Sequence, residues 1–293
     1  MRITQNMILR NTLSRVNDNR DEMNEIQGRI SSQKRVQKAS DDPISFSRAS
    51  RFRRNLEQNK QFIKNVEDAN AWISTTSISL DQLHEYALQA YDLASRGADG
   101  TADAELRAQL ADSVRGLLQD SVNLGNSQYL GKSIFAGTLT NESEPFLLTG
   151  DVVTYQGNDE YIQRRVTENQ VENINTTGQD LLDTDLFAGL SALITALDAN
   201  DVSAINTSME QMGDVKKNLL TLSTTTASRE TNLLLVKYRL NSTNEDLIAY
   251  ISDEEDAVLE EEIVKFKSQE TAYQAALQSA SQIMNMNILN YLN

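Results

Sequence analysis

A few positions of this 293-residue chain carry residue types that could do chemistry. Gly131-Lys132-Ser133 ends like a phosphate-binding loop, where backbone N–H groups cradle phosphate and the lysine reaches it. That loop needs a glycine five positions earlier, where Asn126 stands, and a strand before it, where the pattern is helical. The stretch therefore reads as a turn. The single histidine, His84, falls on an apolar helical seam, where imidazole is packing rather than a ligand. One histidine and no cysteine leave no material for a zinc site, a Ser-His-Asp triad, a disulfide or a thiolate. Asp253-Glu254-Glu255-Asp256 gathers four carboxylates but lacks the glycine and alternation of a calcium loop. Ser252 followed three residues later by Glu255 has the pattern of a capping box, with acids at a helix N-terminus. Met23, Met284 and Met286 sit on seams as adaptable packing. No catalytic, cofactor-binding or metal-ligating set emerges; the expectation is a chain that is not an enzyme and takes no cofactor.

The elements that would hold such residues are long helices. Hydrophobic residues make up 39% of the chain, aromatics only 6%, and there are two prolines, a composition of helices rather than of a loop-rich compact enzyme. In the first segment Leu9, Leu13, Val16, Met23 and Ile30 fall on an alternating four-and-three step, with polar Arg20 and Gln27 on the same step and Ile26 beside it. The second runs Phe52, Leu56, Ile63, Val66, Ile73, Leu80, Ala87, Tyr91, Ala94, passing through Asn59, Asn70, Ser77 and His84. The last reads Leu259, Ile263, Phe266, Tyr273, Leu277, Ala280, Met284, Tyr291, with Ile288, Leu289 and Leu292 alongside. These are heptad seams of helices that wrap partners. A helix over about 44–95 would be roughly 75 Å long, longer than a compact domain needs.

Two breaks organise the chain. In KASDDP, residues 38–43, proline keeps Asp42 out of mid-helix conformation; Asp42 becomes an N-cap with Pro43 at the first helical position. Ser40, Asp41, Asp42 and Pro43 are thus a joint and helix cap. In the middle, Gly131, Gly137 and Pro145 punctuate alternating runs such as VVTYQG and YIQRRVTE, which are strand and turn signals. Helical patterning returns near Leu181 and runs to the C-terminus with a junction expected at Asn241-Ser242-Thr243-Asn244. The fold class expected is mainly α: an elongated antiparallel helical bundle or coiled coil with both termini at the base and a small β-rich insertion at the tip. Its divisions are 1–42, N-terminal part of an inner coiled coil; 43–131, outgoing helical rod; 132–180, small β-rich outer domain; 181–257, returning rod; and 258–293, C-terminal part of the inner coiled coil. The outer domain is expected to be expendable.

Charge supports pairing of the ends. Net charge is −15, which argues against nucleic acid as a partner. Yet residues 1–64 hold 14 Lys+Arg against 7 Asp+Glu, while residues 241–293 hold 2 against 10. Arg15, Arg20 and Arg29 would face the acidic run from Asp253 onward if the helices overlap there. No run reaches the roughly 18 apolar residues of a membrane span, and MRITQNMILRN has no continuous apolar core of a signal peptide. Taken alone, that pattern suggests a cytoplasmic protein without membrane insertion.

MRIT at the start, RISSQKRVQKASDDP, YLGKSIFAGT, VTYQGND and NILNYLN at the end occur in an order and placement that resemble the flagellin superfamily, and within it the hook–filament junction family, the third hook-associated proteins. Gln33 departs from the glycine usual in that segment. The resemblance covers essentially the whole chain. It implies a structural adaptor of the bacterial flagellum, extracellular, exported unfolded by the type III export apparatus with a cytoplasmic chaperone and without a cleaved signal peptide. It implies as partners copies of the same chain in a ring, the first hook-associated protein on the hook side and flagellin on the filament side. The seam residues Leu9, Leu13, Val16, Met23, Ile26, Ile30, Ile263, Phe266, Tyr273, Leu277, Met284, Ile288, Leu289, Tyr291 and Leu292 would form the assembly interface. A flagellin filament subunit is the alternative within the superfamily; a signalling coiled coil is the alternative outside it, disfavoured by the β insertion and the lack of a membrane span.

Overall fold

The computed structural model describes residues 2–292, with the side chains of residues 7, 8 and 10–282. Seven helices and six short strands follow in the order α1 (Arg2–Ser32), α2 (Pro43–Ala98), α3 (Ala104–Gly125), β1 (Gln128–Tyr129), β2 (Lys132–Ser133), β3 (Phe146–Thr149), β4 (Val152–Tyr155), β5 (Gln163–Arg165), β6 (Val171–Asn173), α4 (Gly178–Leu182), α5 (Leu186–Asp198), α6 (Val202–Glu255) and α7 (Leu259–Leu292). The fold is mainly α, with the strands confined to one insertion, as the sequence pattern requires. Two compact units divide it: residues 1–58 with 243–293, and residues 59–242.

The second unit is built on a continuous apolar core. Val66, Leu80, Ala87 and Ala94 of α2, Val114 and Leu118 of α3, Leu190 and Leu193 of α5, and Met212 and Leu219 of α6 are all buried in it. Helices α2 and α6 run antiparallel in this unit, tied by Ser223 Oγ donating to Asp81 Oδ1 at 2.7 Å and by Lys237–Glu67 at 2.8 Å. Arg107 is buried and closes the end of α2, donating to the Gly97 carbonyl at 2.8 Å and the Asp99 carbonyl at 3.2 Å. It thereby satisfies carbonyls that a helix C-terminus leaves unpaired.

The strands form three two-stranded antiparallel hairpins, β1–β2, β3–β4 and β5–β6. Gly131-Lys132-Ser133 lies in the first of them: Leu130 and Gly131 both have positive φ and make the tight turn between Tyr129 and Lys132. The hairpins are not a detachable appendage. Phe146, Val166 and Ile174 are buried in the same core as the helices. The Phe146 ring lies 5.1 Å from that of Phe187 in α5, and a Cβ on Gly125 of α3 would stand 2.8 Å from Phe146. Removing the insertion would therefore open the core of the second unit.

The expected junction at Asn241–Asn244 is absent as a helix break. Helix α6 continues through it to Glu255, and the break comes at Asp256-Ala257-Val258. Asn, Ser and Thr are weak helix formers, but their penalties are tenths of a kcal/mol each, and Leu240 and Leu247 are buried on either side. Packing decides.

Candidate assembly interface and joint

In the first unit α1 and α7 pack antiparallel. Gln269 Nε2 donates to Glu22 Oε2 at 2.9 Å and to Asn19 Oδ1 at 3.3 Å, and Arg29 reaches Glu262 at 3.8 Å. On α1 the covered face follows Thr12, Val16, Asn19, Met23, Ile26 and Ile30; on α7 it follows Leu259, Glu262, Phe266, Gln269, Tyr273, Ala276 and Ala280. Both keep the alternating four-and-three step of a coiled-coil seam.

Of the predicted interface, Val16 and Ile26 are buried and Met23, Ile30, Phe266 and Tyr273 half-buried on this seam. Leu13, Ile263 and Leu277 are not on it; they are exposed, Ile263 at 51%. Glu262 and Gln269 take α7 seam positions because they match Arg29, Asn19 and Glu22 on the facing helix, and Ala276 takes the next one. The side chains of Leu9, Met284, Ile288, Leu289, Tyr291 and Leu292 lie outside the described residues. Met7, Ile8 and Val264 join the exposed apolar residues of the pair.

The joint is a polar knot where both chain breaks meet. Helix α1 ends at Ser32, and Gln33 takes a left-handed conformation, φ 58°, the position after a helix that glycine usually fills. The helix therefore stops here without the glycine. Gln33 O accepts from Ala257 N at 2.9 Å, and Glu255 O accepts from Arg35 N at 2.7 Å and Val36 N at 3.2 Å. Lys34 and Asp256 form an isolated antiparallel bridge. Asp41 Oδ2 accepts from the N–H groups of Gln37 and Lys38, each at 3.0 Å, and Ser40, exposed beside it, reaches Asp41 at 3.5 Å. Asp42 Oδ1 caps α2, accepting from Ile44 N and Ser45 N at 3.1 Å each, with Pro43 at the first helical position. These N–H donors favour the ionised carboxylates and hold both aspartates below the usual range. Glu254 is likewise lowered, by the Ser45 hydroxyl and then Arg48.

Glu255 is the centre of the knot. Its side chain is 2% exposed and binds Lys34 at 2.9 Å and Arg53, both through Oε2. Arg48 pairs with Glu254 at 3.3 Å, and Arg35 donates to the Glu254 carbonyl at 2.9 Å. The acidic run is therefore not a capping box. Ser252 lies inside α6 and its hydroxyl bonds Asp256, while Glu255 is the last helical residue. The basic partners also differ from those expected. Arg29 meets the acidic run at Glu262, whereas Arg20 pairs with adjacent Asp21 and, among the described residues, Arg15 has no carboxylate partner. Arg20 lies nine residues from Arg29, about 13 Å along α1, beyond the reach of a screened surface charge. Lys34, Arg48 and Arg53 replace Arg15 and Arg20. No local signal marks them, since Lys34 and Glu255 are 221 residues apart.

Among the described residues no group of three His, Asp or Glu side chains is placed to hold a metal, and no helix is long and apolar enough to cross a membrane. The geometry offers contact surface and a fixed joint. The model of the bacterial flagellin N-terminal helical region matches residues 3–140, a span that runs from α1 through the joint and α2 to the first hairpin. Over that span the chain is similar to the flagellin superfamily. Within that superfamily, flagellar hook-associated protein 3 of Escherichia coli (strain K12) is 28% identical over 214 residues, 67% of this chain and 67% of that protein. The fold is shared with FlgL of Bacillus cereus, at a TM-score of 0.61 and 19% identity over 69% of this chain and 98% of that one. It is shared also with the flagellar junction protein FlgL of Legionella pneumophila, at 0.61 and 11% identity over 71% and 100%.

Proposed function

We propose that this chain is a member of the flagellin superfamily and a structural adaptor of the bacterial flagellum, copolymerised at the hook–filament junction. It acts by assembly rather than catalysis. The observation that carries the reading is the α1·α7 pair: it joins the two ends of the chain along one seam yet leaves Met7, Ile8, Leu13, Ile263, Val264 and Leu277 exposed. Neighbouring subunits would cover these exposed apolar side chains. The names of its relatives support the junction over the filament itself. Copies of this chain in a ring, the first hook-associated protein on the hook side and flagellin on the filament side are the partners that reading assigns. Delivery is by the type III export apparatus with a cytoplasmic chaperone, without a cleaved signal peptide, and the working location is the extracellular hook–filament junction.

Complementation tests this. In a strain lacking its own copy, electron micrographs should show hooks without filaments and flagellin shed to the medium; the wild-type gene should restore both filaments and swimming. Filaments that attach normally without the protein would reject the adaptor role.

A further inference from the structure

Helix α6 shows an anomaly in the second unit. From Asn218 to Tyr238 every exposed position is uncharged, and the three charged residues in that span, Arg229, Glu230 and Lys237, are half-buried, Lys237 being paired with Glu67. A solvated helix normally turns its charged residues outward, and this chain is 24% charged. Leu220, Leu234, Leu235 and Tyr238 stand on the exposed side, Tyr238 at 77% and Leu235 at 65%. The rest are Asn218, Ala227, Asn232 and a run of hydroxyl residues.

Those hydroxyls face inward. Thr221, Thr224, Thr225, Ser228 and Thr231 each donate to the carbonyl four residues back, at 2.9, 2.7, 2.8, 2.8 and 3.0 Å. With the oxygen committed to its own helix, each threonine presents its γ-methyl to solvent. The face is therefore more apolar than its composition suggests, and depletion of charge is the compositional mark of an interface core.

We infer that the outward face of α6 over residues 218–238 is a lateral contact with a second copy of this chain. This deepens the adaptor reading and rests on it. Charge selects the occupant. Residues 59–242 hold 13 Lys+Arg against 25 Asp+Glu, a net −12. A basic partner would seek that acidic surface, whereas an equally acidic copy can approach only where charge is absent. Size agrees. A helix face about 30 Å long and 10 Å wide offers roughly 300 Å², against about 800 Å² per partner in a stable dimer. The contact is weak in a pair and holds where other contacts bring copies together.

A photo-cross-linking residue (benzoylphenylalanine) at Ser228, with Gln119 on α3 as the exposed control, tests the inference in flagellated cells and in the concentrated full-length protein. Ser228 should give an adduct of twice the 32.8 kDa chain, and Gln119 should not. Thr224→Glu with Leu235→Glu should cut that adduct at least tenfold and reduce swimming, with an unchanged thermal melt because both sites are exposed. Thr224→Val with Thr231→Val keeps the methyl face and should preserve adduct and swimming. An adduct only with another flagellar protein, no adduct, or an adduct indifferent to the glutamates overturns the lateral contact. If wild type restores filaments while the glutamate pair behaves identically, the contact alone fails; if wild type restores nothing, the adaptor reading fails, and the adduct from purified protein still decides the contact.

Discussion

At Gln33 a non-glycine residue is held in left-handed conformation by its own carbonyl, which accepts from Ala257 N at 2.9 Å. The left-handed region costs an L-residue about 1–2 kcal/mol, and glycine recovers part of that while gaining entropy in the unfolded chain. Gln33→Gly should stabilise the first unit by about 1 kcal/mol, read as a rise of a few degrees in its thermal transition. A fall would mean the Gln33 side chain contributes more than its backbone costs. Glu255 presents the opposite asymmetry. Its carboxylate is buried, but Lys34 and Arg53 are 38% and 46% exposed. Each cation can return to water, whereas the carboxylate cannot. Lys34→Met or Arg53→Met alone should therefore cost about 1 kcal/mol or less, since the other cation remains. Together they leave a buried unpaired charge and should cost about 3 kcal/mol. Additive losses in a double-mutant cycle would show that the two cations act independently.

At the scale of elements, three lowered carboxylates converge on the start of α2. Asp41, Asp42 and Glu254 all have folded-state values below their unfolded ones. Groups of that kind contribute stability above the unfolded carboxylate range and lose it as pH falls through the folded values. The joint should hold at neutral pH and loosen below about pH 4, while the apolar core of the second unit stays closed. Hydrogen exchange of the Lys38 and Ser45 amides, compared with Val114, measures this; equal protection at pH 3 and pH 7 contradicts it. The helices were legible because Val16, Met23, Ile30, Leu80, Ala87 and Ala94 repeat at fixed steps. The cap was legible because Asp42 and Pro43 are adjacent, so one peptide unit carries the signal. The α7 seam was misread only at Ile263 and Leu277, while Leu259, Phe266, Tyr273 and Ala280 lie on it. Ile263 is more apolar than Glu262, and only the facing Arg29 reverses that choice. Glu255 escaped for the same reason: its partners come from α2 and the linker after α1, and nothing near residue 255 announces them.

For the whole molecule, the packing of the β insertion changes what a deletion can reveal about function. Removing residues 138–178 takes Phe146, Val166 and Ile174 out of the core. At about 1.5–3 kcal/mol for each fully buried large side chain, the loss is roughly 5–9 kcal/mol, comparable with the entire margin of a domain. That deletion should unfold the second unit and abolish filament attachment without implicating the surface of the hairpins. Truncating Ile288–Asn293 should also abolish attachment, yet leave the melt of the second unit unchanged, because those residues belong to the first. Replacing Asn141, Glu142 and Glu144, exposed between β2 and β3, by serine separates surface from core, because it removes no buried side chain and keeps the Glu142 carbonyl that accepts from the buried Ser133 hydroxyl. We expect that variant to melt like wild type and to restore filaments. Loss of filaments with an unchanged melt would place the working surface on the hairpins and not on the α1·α7 pair.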